Sequence, residues 1–300
     1  MWFRNIHFYR FEEPFKYTAE QLDQALAQRK ARPCGQLEPA CEGWSRPLGL
    51  DGQMLVHDTD GRLMVCLRRE DKVLPPSLMR EQLAAKVFEI EQETGRKVGR
   101  RERAELREQL LRELLPRALV KASHTWAYID GRAGWLVVNA ASAKKSEELI
   151  ALLRRCVGQL PVVVPQPAVS PESAMTRWLL DEPSLPPDFM IEDACELRAA
   201  DKNGAVIRCQ HVDMDSDEVR AHVLAGRSVY KLAMRWRERV SFVLHDDLSL
   251  RRIRFDSELV DQAAAEATDA RTQFDADFAI MGAELGELIP ALLGAMDALG

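Results

Sequence analysis

Five cations fall within eight residues at Arg96, Lys97, Arg100, Arg101 and Arg103, a density that neighbouring carboxylates cannot easily neutralise. Such groups suit phosphate oxygens, which arginine grips as a fork and lysine as a point charge. The competing reading is a solvated helix face balanced by Glu102, Glu105 and Glu108 at i,i+4 spacing. A second set, Lys231, Arg235, Arg237 and Arg239, alternates with Tyr230, Leu232, Met234 and Trp236. Period 2 sends the apolar set into a core and lines the other face of a strand with cations. Arg252 and Arg254 add a same-face pair from the following strand. A third candidate is Lys144-Lys145 in the first turn of a helix, where the dipole offers cations nothing and a phosphate would be welcome. No aromatic residues interleave these clusters as base stacking would require. The chemistry on offer is contact with a nucleic-acid backbone without base reading, and a merely solvated surface remains the alternative for each cluster.

Other chemistries lack their residues. Neither G-x-x-x-x-G-K-[ST] nor G-x-G-x-x-G occurs. His7, His57, His124, His211, His222 and His245 show no metal-ligand spacing. Asp213-x-Asp215-x-Asp217 starts like a calcium loop, but Glu218 and Leu224 stand where glycine and glutamate are needed. Cys34, Cys41, Cys66, Cys156, Cys195 and Cys209 form no C-x-x-C pair and read as reduced thiols, with no disulfide framework and no zinc. The expectation is a protein without catalytic residues, metal or cofactor.

The 300 residues are 46% hydrophobic and 29% charged, with 41 Lys+Arg against 47 Asp+Glu and a net charge of −6. A uniformly basic coat is excluded, so a polyanion site has to be local. The charge is segregated accordingly. Residues 76–145 hold 14 basic and 9 acidic side chains, residues 226–255 hold 8 and 3, and residues 256–300 hold one and 10. No apolar run is expected to reach the roughly 18–20 residues of a membrane span. Met1–His7 lacks the basic and long apolar regions of a secretion signal, so a cytoplasmic location and no membrane partner are expected.

The elements that must position these residues follow from local signals. A strand is predicted over Trp2–Arg10. A helix over 19–30 is opened by the Thr18/Gln21 capping box and stopped by Pro33. A hairpin pairs 53–57 with 62–67 around Asp58–Gly61. Leu83, Val87 and Ile90, then Leu106, Leu110 and Leu114, give two helices with a narrow apolar stripe, broken at Thr94-Gly95: a projecting helical hairpin. A second hairpin pairs 125–130 with 135–140. Ser142 then caps a helix ended by Gly158, and Pro161–Pro165 makes a short buried strand. The proline-rich stretch 165–187, with a short helix near 173–180, reads as the link between two halves. The C-terminal half shows strands near 189–198, 205–209, 228–236, 239–245 and 248–255, with a turn at Asp201–Gly204. Helices follow from Ser216, over 257–270 and over 276–298.

The order of motifs resembles the recombination-associated RdgC family. The resemblance rests on Trp2-Phe3-Arg4-Asn5, Arg32-Pro33-Cys34-Gly35, Gly43-Trp44 with Pro47-Leu48-Gly49, Leu114-Leu-Pro-Arg-Ala118, Ala141-Ser-Ala-Lys-Lys145, Leu160-Pro-Val-Val163, Val206-Ile-Arg-Cys209 and Phe274-Asp-Ala-Asp-Phe278. It implies an elongated α+β subunit that forms a ring-shaped homodimer with a positively charged hole. Residues 1–75 and 117–165 would make the centre, 76–116 the helical tip and 166–300 the base. Such a ring binds double- and single-stranded DNA without marked sequence preference, lies on the nucleoid, restrains RecA by occupying DNA and has no enzymatic activity. The DNA contacts expected here are Arg96, Lys97, Arg100, Arg101, Arg117, Lys121, Lys144, Lys145, His211 and Lys231, with Leu119 at the gate between tips. The sequence departs from the family in having Leu119 in place of phenylalanine, and Gln210-His211 in place of cations. The alternative is an adaptor that binds RecA directly through the acidic C-terminal region.

Overall fold

In the computed structural model residues 1–199, 204–265 and 267–298 are described. The first strand, β1 (Ile6–Phe11), starts later than its aromatic content suggests and is buried on both faces except at Arg10. Helix α1 (Ala19–Ala27) has the expected capping box: the Gln21 amide donates to the Thr18 hydroxyl, and the Thr18 amide to the Gln21 side chain. It stops short of residue 30 because Lys30 bridges to Trp44 of β2 (Ala40–Ser45), a strand with no sequence pattern of its own. The next hairpin joins β3 (Val56–Thr59) to β4 (Arg62–Val73) through left-handed Asp60 and Gly61, with Asp58 accepting from the Gly61 amide at 2.9 Å. Strand pairing carries β4 well past Leu67, because β5 (Leu119–Asp130) accompanies it residue for residue from Asp130 to Leu119.

Helices α2 (Pro76–Thr94) and α3 (Arg100–Leu114) join the outer ends of β4 and β5. Left-handed Gly95 ends α2, Lys86 pairs with Glu113 across the two helices at 2.6 Å, and one residue of each, Val87 and Leu110, is buried. β6 (Trp135–Asn139) completes the second hairpin. The hydroxyl of Ser142 caps α4 (Ala143–Val157), and left-handed Gly158 ends it. β7 (Val162–Val163) is an edge rather than the buried strand expected, since it pairs only with the end of β1 and leaves Val163 and Val164 exposed. In the proline-rich connection, α5 (Pro171–Leu180) buries Ala174, Met175, Trp178 and Leu179.

β8 (Phe189–Ala199) and β9 (Val206–Gln210) follow; most of the turn expected at Asp201–Gly204 lies outside the described residues. Ser216 stands at the start of α6 (Asp217–Leu224), yet its hydroxyl makes no capping bond. β10 (Arg227–Trp236), β11 (Val240–His245) and β12 (Leu250–Phe255) form a meander. Helices α7 (Ser257–Ala265) and α8 (Ala270–Asp297) close the chain.

These strands make one large antiparallel sheet in a mixed α+β fold, in the order β2-β4-β5-β6-β1-β12-β11-β10-β8-β9, with β3 on β4 and β7 on β1. One face joins Ile6, Phe8, Met64, Tyr128, Leu232, Phe242 and Leu250 to Trp178 and to Phe278, Leu285 and Leu292 of α8. The other face, in the N-terminal part of the sheet only, packs Tyr9, Phe11, Val65, Ile129 and Val138 against Leu22 of α1 and Leu149 and Leu153 of α4. By length and composition α8 does meet the requirement for a membrane span, contrary to the sequence expectation, but half of its most apolar stretch is buried inside the fold.

Gly43 marks the closest backbone approach in this frame. A Cβ there would lie 2.7 Å from the backbone of Ala31 and 2.8 Å from the Arg29 carbonyl, where the Trp44 amide donates. Gly43→Ala should destabilise the protein by about 2 kcal/mol, as overpacking does. Gly294→Ala, inside α8 with open space around it, should be neutral to slightly stabilising. Urea titrations of the two variants give the comparison, and equal midpoints would remove the steric argument.

Candidate nucleic-acid interface

The turn between α2 and α3 is shaped by backbone and carboxylate contacts. The Val98 amide donates to Glu91 at 3.0 Å, and Arg96 forks onto Glu102 at 2.7 and 2.8 Å. Arg101 pairs with Glu105 at 3.2 Å, but both are largely exposed, so this pair is worth at most about 1 kcal/mol and yields readily to a phosphate. Lys97, Arg100 and Arg103 are exposed and have no ion pair among the described residues. Two cations of the cluster are thus balanced locally, and three have no ion pair among the described residues.

The sheet-borne candidates share a face. Along β4 and β5 the odd residues point to the side covered by α1 and α4, which places Lys121 there opposite Asp71. Asp71 is already engaged by Arg69 at 3.0 Å, and Arg69 also reaches Glu42 and Glu148 of α4, leaving the Lys121 ammonium without an ion pair among the described residues. One turn before Glu148, Lys144 and Lys145 stand exposed at the start of α4 with no ion pair. Arg251 of β12 donates to the Ala141 carbonyl, so this helix start abuts the C-terminal strands. There the same face is covered by no helix among the described residues and carries Lys231, Arg235, Arg252 and Arg254. Arg117, in the turn between α3 and β5, is exposed and unpaired among the described residues.

Carboxylates correct the sequence reading of the C-terminal strands. Lys231 pairs with Glu196 at 3.0 Å, Arg235 with Glu192 at 2.9 Å, and His211 with Asp193 at 2.8 Å. Period 2 also breaks. A register shift between Val229 and Lys231 turns Tyr230 out of the core, where its hydroxyl donates to Glu196. β10 ends at Trp236, and Arg237 and Glu238 form a left-handed turn, so Arg237 reaches Asp188 and Glu287, and Arg239 reaches buried Glu284 of α8. Arg237 leaves the cationic face, whereas Arg239 still lines the cleft with Arg235, Arg252 and Arg254 but is engaged by Glu284. Arg252 and Arg254 have no ion pair among the described residues. Arg252 is held in a left-handed conformation, φ 51°, within a register shift between β11 and β12. Bulges of this kind re-aim side chains, and no sequence pattern announces them.

The cationic character of the face shows in its histidines. Burial, with Arg251 and Lys231 beside it, pushes the His245 imidazole down to about 4. Burial and Arg251 also lower His7. Metal ligands are sparse: among the described residues one group of three converges, Cys34, Glu38 and Cys41, away from this face.

A family profile described as "Putative exonuclease, RdgC" matches residues 1–299. The chain is 43% identical over 297 residues to the "Recombination-associated protein RdgC" of Aeromonas hydrophila, covering 99% of this chain and 98% of that one. It is 41% identical to the protein of the same name from Tolumonas auensis, with the same coverage. With that of Pseudomonas aeruginosa it shares 38% over 298 residues, 99% of this chain and 97% of the other.

The depressed His245 sets a pH dependence. An unfolded histidine titrates near 6.5. Between about 6.5 and about 4 the unfolded chain therefore takes up a proton that the folded chain refuses. The stability contributed is complete above that window and is lost as pH falls through it. Urea midpoints should decline from pH 7 to pH 5, and decline less in His245→Gln. Equal declines in both proteins would assign the effect to other groups.

Proposed function

The chain belongs to the RdgC family, and on that premise we propose that it binds double- and single-stranded DNA through backbone phosphates, without reading bases. The observation that carries this reading is the set of exposed cations lacking ion pairs among the described residues. Lys121, Lys144, Lys145, Arg252 and Arg254 share one face of the sheet, while Lys97, Arg100 and Arg103 crown the helical pair. Arg96, Arg101, Lys231 and His211 have carboxylate partners and contribute only where DNA displaces them.

The protein acts as a homodimer whose two subunits close a ring around DNA. The helical pairs are the tips and the C-terminal region is the base. Support for a tip contact comes from Leu119, 79% exposed, beside Val73 and Val120 at the root of the helical pair: an apolar patch open to solvent. By occupying DNA on the nucleoid, in the cytoplasm, the ring restrains RecA-dependent recombination.

It holds DNA without cutting it. Two-metal phosphodiester cleavage needs carboxylates converging on the metals, and the one convergent group among the described residues is a cysteine pair with a single glutamate. An adaptor role through the acidic C-terminal region is less well supported, because four of its ten carboxylates are engaged within the fold. Asp275 meets His57, Asp277 the N-terminal amine, Glu284 Arg239, and Glu287 Arg237.

DNA affinity should fall steeply with salt and be similar for unrelated duplexes. Reversing Lys121, Lys144 and Lys145 to glutamate should make the log K against log salt slope shallower by about three, one per contact. Stability should change by less than about 1 kcal/mol. An unchanged slope would remove this face from the interface, and shortening of end-labelled DNA with Mg²⁺ present would overturn the non-cutting assignment. For the ring, Leu119→Asp should reduce retention on circular DNA more than on short linear DNA while sedimentation still reports dimers. Equal retention on both would show that Leu119 is not at a gate.

A further inference from the structure

Sequence spacing hides a meeting of thiols. Cys34 and Glu38 lie in the loop between α1 and β2, and Cys41 is the second residue of β2; one ligand atom from each lies within 4.8 Å of the other two. All three residues are partly buried. The loop is held in place before any ligand arrives. The Cys34 amide donates to Glu70 of β4 at 2.9 Å, the Cys41 thiol points to the Arg32 carbonyl at 3.3 Å, and the Lys72 amide donates to the Pro39 carbonyl at 2.8 Å. Glu38 is gripped by Arg32 through two hydrogen bonds, at 2.5 and 2.7 Å, and accepts from the Gly35 amide at 2.8 Å.

From this geometry we propose that Cys34, Glu38 and Cys41 form a zinc site that fastens the α1–β2 loop to the edge of the sheet. Tetrahedral zinc, with Zn–S near 2.3 Å and Zn–O near 2.1 Å, sets its donor atoms roughly 3.5–3.8 Å apart, so side-chain shifts of about 1 Å complete the set. Two sulfur donors select zinc over magnesium or calcium. Glu38 enters as a carboxylate, the form that accepts from the Arg32 guanidinium and the Gly35 amide. Both thiols enter as thiolates, and their two protons pass to solvent as the Zn–S bonds form. Two thiolates and a carboxylate leave the complex with one net negative charge, which the Arg32 guanidinium neutralises while orienting the Glu38 carboxylate from behind. Water takes the fourth position.

Thiol ligands have to lose their protons, so metal uptake competes with protons and weakens as pH falls. The bound ion stiffens the flank of β4 at Glu70–Lys72, close to where β4 passes into α2. The site is independent of the DNA-binding reading and stands or falls without it.

The test uses the full chain, reduced and loaded with zinc sulfate, then desalted and measured for zinc by mass spectrometry and by competition with a chromophoric chelator. One zinc per chain is expected, with Cys34→Ser and Cys41→Ser losing it on desalting and Cys209→Ser retaining it. Arg32→Gln should weaken binding about 10–100-fold, as loss of an orienting partner does. Zinc should raise the thermal midpoint of the native chain and leave that of Cys34→Ser unmoved. If the serine variants do not fold, alkylation of the native chain decides, because zinc should protect Cys34 and Cys41 but not Cys209. Substoichiometric zinc, retention by both serine variants, or a Cys34–Cys41 disulfide forming in the zinc-loaded protein under glutathione disulfide would each overturn the site.

Discussion

The strand that everything else leans on is β1. It lies in the middle of the sheet, with β6 on one side and β12 on the other, and its two faces feed two different cores. Ile6 and Phe8 join the core built on α5 and α8, while Tyr9 and Phe11 join the one under α1 and α4. Its direct pairing with β12 is short, Ile6 opposite Leu250, helped by the Ile253 amide donating to the Arg4 carbonyl. Side-chain burial, at about 25 cal/mol per Å² of apolar surface, holds the junction more than the ladder does. The chain start is fixed again when its amine meets Asp277 of α8. Contacts between residues so far apart in sequence carry a loop-closure cost that this burial offsets.

Around that frame, the placement of carboxylates decides which cations remain available. A chain of net charge −6 binds a polyanion only where its own acids are elsewhere or already engaged. β8 sends Glu192 and Glu196 onto the cationic face and silences Arg235 and Lys231. The acids of α8 are turned away from that face, toward the N-terminal amine, His57, Arg237 and Arg239. The cations left unpaired form a band from the outer end of β5, past the start of α4, to the bulged strand β12.

The helical pair is anchored differently from the body. Beyond the end of β6, β5 has β4 as its partner along one side only, and α2 and α3 hang from that ribbon with one buried residue each. Few buried apolar contacts mean low local opening free energy, which suits an element proposed to part and reclose. The α1–β2 loop flanks the same ribbon, so a clip there would stiffen the root of the helical pair.

What the sequence determined by itself was local. The Thr18/Gln21 and Ser142 caps, the left-handed glycines at 95 and 158, the Asp-rich turns of the hairpins and the heptad-like leucines of α3 are signals read within a few residues, and each element stands where they put it. The ordered motifs from Trp2 to Phe278 carried the family in the same way. Only the tertiary structure decided what depends on partners distant in sequence. β2 has no pattern because β4 and the Lys30 bridge supply its hydrogen bonds. Tyr230 left the core because of a bulge, Arg237 left the cationic face because the strand ended in a turn, and Arg239 was taken up by Glu284 of α8. Cys34 and Cys41 met because the loop between them folds back on β4. A strand's face is written in its own alternation, but its register, its bulges and the charges opposite it belong to the neighbouring strand, which for β1 comes more than two hundred residues later, Ile6 opposite Leu250.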